Sequence, residues 1–225
     1  MNPLIIEINN RQLQIERCRN QADLPFIQEL DDLVFGRHQG ISAELLRAIF
    51  EQDGLLVYKI KNQIIGQSQC LFYSACEIKI EETNTALFYG TAVLPEFRNQ
   101  QIGKALALAQ EKIAVAAGKT KALLTVRPEN GISLIMRYQL GFNIINWLPD
   151  YYGANNGRLL LEKCFDTNSI QKPEKKQKVV NQVSIQCGDD DDQKARQQIT
   201  ACISSGQRVT GFRLISTSAA LFEFS

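Results

Sequence analysis

Gly90-Thr91-Ala92-Val93-Leu94-Pro95-Glu96-Phe97-Arg98-Asn99-Gln100-Gln101-Ile102-Gly103-Lys104-Ala105 passes from a strand-like run, through a turn, into the longest helical pattern of the chain. A strand whose turn opens a helix aims several unpaired backbone N–H groups at one point, and the helix dipole adds partial positive charge there. Such an end is a natural seat for a diphosphate. Gly103 and Ala105 carry little or no side chain, so a ligand can approach the backbone closely. Arg98 and Lys104 can add charge at the phosphates. The same residues also suit an ordinary strand-to-helix turn with small residues for packing. Neither G-x-x-x-x-G-K-[ST] nor G-x-G-x-x-G is present.

Outward from this turn, hydrophobic periodicity divides the chain. Residues 12 to 18 alternate like a strand, and residues 22 to 35 place Leu24, Ile27, Leu30, Leu33 and Val34 at helical spacing. Ser42 ahead of Leu45, Leu46 and Ile49 predicts a capped second helix. Strands follow over 55 to 61 and 64 to 73, joined by a tight turn at Lys61-Asn62-Gln63. A third runs over 87 to 93 and ends at Pro95. The helix over 101 to 117 carries Ile102, Ala105, Leu106, Ala109, Ile113 and Ala116 on one face, with Gly118 closing it. A strand over 122 to 126, a helix over 131 to 140 closed by Gly141, and strands over 142 to 147 and 158 to 163 complete this part. The order β-α-α-β-β-β-α-β-α-β-β is that of a mixed sheet with helices on its faces.

At residues 166 to 178 the hydrophobic period stops, and four lysines fall within seven residues. This segment reads as a solvated linker. Beyond it, residues 179 to 186 alternate, 189 to 205 look helical, and 208 to 215 and 219 to 224 look like strands. The tail is therefore a small β-α-β-β unit, marginal alone. The predicted domains are 1–165, a linker at 166–178, and 179–225.

The 225 residues carry a net charge of +1, with 44% apolar and 22% charged side chains. That is an ordinary soluble composition, and nothing in it suggests a nucleic-acid partner. Six cysteines form no C-x-x-C pair and His38 is the single histidine, so a metal site has few ligands to draw on. Scattered cysteines, a short apolar run at Leu4-Ile5-Ile6 and no membrane-length stretch predict a cytoplasmic protein without a membrane partner. His38 reads as a surface residue. Asp189 to Asp192 lacks the spacing of a calcium loop and reads as a helix-start cap.

The motif residues resemble the GNAT superfamily of acyl-CoA-dependent N-acyltransferases. Gln100-Gln101-Ile102-Gly103-Lys104-Ala105 matches its phosphate-loop pattern [Q/R]-x-x-G-x-[G/A], behind the strand exit Ala92-Val93-Leu94-Pro95. Val126-Arg127-Pro128-Glu129-Asn130 followed by Leu140-Gly141-Phe142 is similar to the second motif. That motif and the loop Asp150-Tyr151-Tyr152-Gly153 look most like ribosomal-protein alanine N-acetyltransferases. The resemblance covers about three-quarters of the chain. It implies the GNAT fold: an α/β chain with a mixed, mostly antiparallel sheet and helices on both faces. It also implies acetyl-CoA as co-substrate, with no metal. Ala92 and Val93 would bond the pantetheine arm, and Arg98, Asn99, Gln100, Gln101, Ile102, Gly103, Lys104 and Ala105 would surround the diphosphate. Asn130 would touch the cofactor near its pantetheine portion. Tyr151 and Tyr152 would help hold a peptide N-terminus, although both also fit as half-buried loop aromatics.

Two places depart from the pattern. Thr125 stands where a glutamate base is common, and Arg137 stands where a tyrosine usually protonates the leaving thiolate. Tyr138, one residue on, is the acid left to name. The expectation is transfer of an acetyl or short acyl group to a primary amine of a small molecule or peptide. The alternative is a non-catalytic coenzyme A sensor or partner-binding protein on the same fold. A regulatory or dimerising role would explain the added C-terminal unit, so a homodimer is compatible with the sequence.

Overall fold

A computed structural model describes residues 3–37, 40–128, 130–148, 151, 153, 157–165, 181–186, 197–198, 201–202, 205, 207, 209–216 and 219–224. It divides into two compact units, Met1–Ala122 and Leu123–Ser225. The division falls inside a strand that the periodicity reads correctly.

The first unit begins with a hairpin, β1 (Leu4–Ile8) and β2 (Arg11–Arg17). Ile8 faces Arg11, so Asn9 and Asn10 form a two-residue turn, at φ 50° and 61°. Asparagine tolerates positive φ better than most residues, and a turn with two such residues matches the twist of its strands. β1 is the element that periodicity missed; its apolar run is too short to show alternation by itself.

Helices α1 (Leu24–Phe35) and α2 (Ala43–Glu51) follow. Ser42 caps α2 as expected, its hydroxyl accepting from the Leu45 amide at 3.2 Å, a contact worth about 1 kcal/mol. β3 (Leu55–Ile60), β4 (Gln63–Leu71) and β5 (Thr85–Val93) extend the sheet in sequence order, each antiparallel to the one before. Lys61 and Asn62 make the β3–β4 turn, again with both φ values positive. Helix α3 (Ile102–Ala116) packs on one face of this sheet. Ile27, Leu45, Leu46 and Ile49 from α1 and α2 pack with Leu55, Val57 and Leu71 on the other.

The C-terminus of α3 has a specific lock. Gly118 sits at φ +75°, its amide reaches Val115 O at 2.9 Å, and the Lys119 amide reaches Ala114 O at 3.0 Å. This pair of bonds satisfies carbonyls a helix end would otherwise leave bare. Lys119 is itself buried, and its Nζ donates to Phe72 O at 2.5 Å and Thr83 O at 2.8 Å. The helix end is thus tied to the exit of β4 and the approach to β5.

β6 (Lys121–Val126) carries the chain into the second unit, which holds α4 (Gly131–Gln139), β7 (Asn143–Leu148) and β8 (Arg158–Cys164). β8 lies between β6 and β7, and β7 and β8 are antiparallel. Gly141, at φ +88°, ends α4 as Gly118 ends α3: Gly141 N reaches Tyr138 O and Phe142 N reaches Arg137 O. A second sheet in the order β10-β11-β9 is built from β9 (Asn181–Gln186), β10 (Val209–Ser216) and β11 (Ala219–Phe224), all antiparallel. α4 lies against β10. The three tail strands expected from alternation are present. Residues 197–198 and 201–202 of the expected tail helix are helical and Ser205 lies in a turn, and the rest of it, with the linker at 166–178, lies outside the described residues.

The expected fold class is observed: a mixed α/β chain with a mostly antiparallel sheet and helices on both faces of its first part.

Candidate functional site

β5 leaves the sheet at Val93, makes one short 3-10 turn at Pro95–Phe97, and reaches α3 through four residues. Within them, Asn99 (φ 61°) and Gln101 (φ 66°) are both left-handed. Two left-handed residues so close bend the backbone until successive N–H groups face one concavity, the arrangement that receives anions. Gln101 precedes α3 with no side-chain cap. Among the described residues, the amides of Asn99 to Lys104 have no acceptor. A helix start of fifteen residues with spare amides concentrates the positive end of the dipole here.

The expected residues divide by what they offer. Gly103 is open: a Cβ there would meet only Val93 Cγ2, at 3.9 Å. Lys104 is half-buried on the first turn, Gln100 is half-buried and Gln101 is exposed. Ile102 buries its side chain and leaves its amide. Ala105 is fully buried, and its amide closes on Gln101 O at 2.9 Å. The spare donors therefore end at Lys104, and Ala105 packs the helix onto the sheet. Arg98 spends its Nε on Val93 O at 3.2 Å, holding the strand exit against the turn. Ala92 and Val93 lie on β5, paired with Gln67 and Gly66 of β4. All of these belong to the first unit. The turn fits a diphosphate, with backbone donors, an open glycine and adjacent cationic side chains on one short segment.

The remaining candidates belong to the second unit. Asn130 caps α4, its Oδ1 accepting from Ser133 N at 3.1 Å. Arg137 is 5% exposed, with its guanidinium 5.6 Å from the Phe142 ring centroid. Its carbonyl also takes part in the α4 end lock, so it joins the helix to the Gly141-Phe142 corner. Tyr138 is half exposed on the same helix, and Tyr151 is half exposed in an isolated bridge with Gly153. Thr125 is partly buried on β6. Tyr152, Glu129, His38 and Asp189 to Asp192 lie outside the described residues. Among the described residues, no three His, Cys, Asp or Glu side chains are grouped as a metal ion would need, and no helix is long and apolar enough to cross a membrane.

Sequence reasoning missed one polar group in the first unit. Asp31 of α1 and Gln67 and Gln69 of β4 are buried together: Gln67 Nε2 and Gln69 Nε2 donate to Asp31 Oδ1 at 2.7 and 2.9 Å. The signal was slight, two glutamines two residues apart in a strand pattern.

The acetyltransferase (GNAT) family matches residues 24–142, just over half of the chain. The chain belongs to the GNAT family of acetyltransferases and is by that membership an N-acetyltransferase. No curated protein matches the sequence. Solved structures share the fold. A ribosomal-protein-alanine N-acetyltransferase from Brucella melitensis is 18% identical over 67% of this chain and 98% of its own, with a TM-score of 0.55. yncA, a putative acetyltransferase from Salmonella typhimurium solved with its cofactor acetyl-CoA, is 15% identical over 68% of this chain and 94% of its own, with a TM-score of 0.56. Ard1 from Thermoplasma volcanium is 17% identical over 67% of this chain and 95% of its own, with a TM-score of 0.57.

Proposed function

We propose that this cytoplasmic enzyme moves an acetyl, or another short acyl, group from acyl-coenzyme A to the primary amine of a small molecule or of a peptide N-terminus. A neutral amine nitrogen attacks the thioester carbonyl, one amine proton is lost, and the departing thiolate takes up a proton. The observation that carries the reading is the turn before α3, where two left-handed residues and an uncapped helix start leave the amides of Asn99 to Lys104 free beside the open Gly103. Arg98 and Lys104 add charge for the diphosphate, and Ala92 and Val93 offer strand backbone to the pantetheine arm. Asn130 serves the pantetheine portion, Tyr138 gives the proton to the thiolate, and Tyr151 and Tyr152 hold the acceptor. The Brucella melitensis structure that shares the fold is by name a ribosomal-protein-alanine N-acetyltransferase, which favours a peptide N-terminus among the acceptors. No metal or nucleic acid is needed.

In this reading residues 1–165 carry the acyl-CoA site, 166–178 link, and 179–225 stand outside the cofactor site in a regulatory or dimerising role.

The test is Gly103→Glu. A carboxylate on the first turn of α3 fills the open space and repels a diphosphate, so calorimetric affinity for coenzyme A should fall about 100-fold or more, equivalent to ~3 kcal/mol. Gly103→Ala, a helix-compatible change into open space, should bind nearly as the native chain does. Unchanged affinity in a folded Gly103→Glu protein overturns the assignment.

A further inference from the structure

The face of β4 and β5 turned away from α3 holds a buried polar cluster that the diphosphate turn does not use. Strand alternation defines that face. A side chain on Gly66 would meet Leu106 and Ile102 of α3, and Thr91 Oγ1 donates to Gln110 Oε1 of α3. Gln67 and Gln69, with their cross-strand partners Ala92 and Gly90, therefore point the other way, toward α1. There Asp31 is 3% exposed and both glutamines are 0% exposed.

The polar inventory of the cluster is unbalanced. Asp31 Oδ1 accepts from both glutamine amides and Oδ2 accepts from Ile41 N at 2.8 Å. All three donors are neutral, and no cation pairs with Asp31 among the described residues. Burial pushes its carboxyl up, against the pull of the hydrogen bonds from Ile41, Gln69 and Gln67. An amide that gives its NH2 to a carboxylate turns its oxygen away from it. Gln67 Oε1 and Gln69 Oε1 are accordingly buried without a hydrogen-bond partner, a cost of roughly 1–3 kcal/mol for each. The cross-strand partners, alanine and glycine, have no polar side chain to offer. Gln69 Oε1 lies over Gly90, where even a Cβ would stand only 3.0 Å from it.

Each glutamine NH2 spends one of its two N–H groups on Asp31. A carboxylate with no cation beside it among the described residues, next to two unspent acceptors, is the complement of a donating group that carries positive charge. We propose that Gln67 and Gln69 bind the ammonium group of the acceptor amine, with Asp31 behind them setting the direction of both amides and supplying the countercharge. Gln67 and Gln69 are binding residues and Asp31 is a positioning residue. The inference rests on the transferase reading above and adds to it the residues that read the acceptor's ammonium group.

The experiment uses the full 15N-labelled chain, with n-propylammonium as probe and 1-propanol as its neutral match. The side-chain amide signals of Gln67 and Gln69 should move with the ammonium ion and stay put with the alcohol. Gln69→Leu and Gln67→Leu should each weaken the response about 10-fold. Asp31→Asn should abolish the preference for ammonium over alcohol. Gly90→Ala, which presses on the Gln69 oxygen from outside the cluster's hydrogen bonds, should lower ammonium affinity and leave coenzyme A affinity unchanged; it keeps the test decisive if Asp31→Asn fails to fold. Glutamine signals that ignore the ammonium ion while coenzyme A binds normally overturn the inference and leave the transferase reading standing. The cluster then holds a buried water and pins Ile41 to α1. Loss of coenzyme A binding in the native chain overturns the transferase reading and this inference with it.

Discussion

Cys18 shows how strongly burial controls a single group in this chain. It lies in the cluster beneath α1 and α2, where burial first, and the nearby Asp23 second, push its thiol from an ordinary 9.0 to about 11. The native state therefore keeps the Cys18 proton over a range in which an unfolded chain has lost it. This contribution to stability is complete below pH 9.0 and is lost as the pH rises through about 11. Two outcomes follow. Alkylation near neutrality should label Cys76 and Cys164, which are exposed, and spare Cys18. The melting-temperature advantage of the native chain over Cys18→Ala should shrink between those two pH values. Early labelling of Cys18, or an advantage that grows with pH, contradicts this account. Asp31 shares the physics with the opposite consequence for reading the sequence. An aspartate in a helix and two glutamines in a strand look like solvent-facing residues, and their burial depends on partners more than thirty residues away.

At the scale of elements, helices were the easiest to read. α2 announces itself by Ser42, and α3 and α4 end at glycines whose positive φ allows the locks at Gly118 and Gly141. Those signals are local, so no fold is needed to interpret them. The hairpin of β1 and β2 carries a local signal too, the Asn9-Asn10 pair, but its first strand is five residues long and too short for a period. The β3–β4 turn contains an imperfect choice. Lys61 sits at φ 49°, a left-handed conformation that costs a residue with a Cβ roughly 1–2 kcal/mol. Replacing Lys61-Asn62 with Asn-Gly, the pair this turn type favours, should stabilise the chain by about 1 kcal/mol and raise its melting temperature by roughly 2–4 °C. Thermal denaturation followed by circular dichroism checks this, and an equal or lower midpoint would show that the lysine is compensated elsewhere.

At the scale of the whole molecule, the diphosphate turn and the three-stranded C-terminal sheet belong to different compact units. Phe222 of β11 is among the largest fully buried side chains. Phe222→Ala should cost about 3–5 kcal/mol and speed amide exchange in β9, β10 and β11. Coenzyme A affinity should stay within a few-fold of the native value. A large loss of affinity in a protein whose first unit remains protected from exchange would tie the tail to the cofactor site and contradict the proposed division of labour. Family membership, the order of helices and strands and the strand–turn–helix passage at residues 90 to 105 were legible in residues 12 to 163, because each depends on neighbours a few positions apart: periodic apolar faces, caps and one motif at a helix start. The Asp31–Gln67–Gln69 cluster, the spent amide of Ala105 and the burial of Arg137 against Phe142 depended on how strands and helices stack. Local pattern says which way a side chain points along its own element; whether water or another element waits there is settled only when the chain has packed, and that decides which polar groups are left with something to bind.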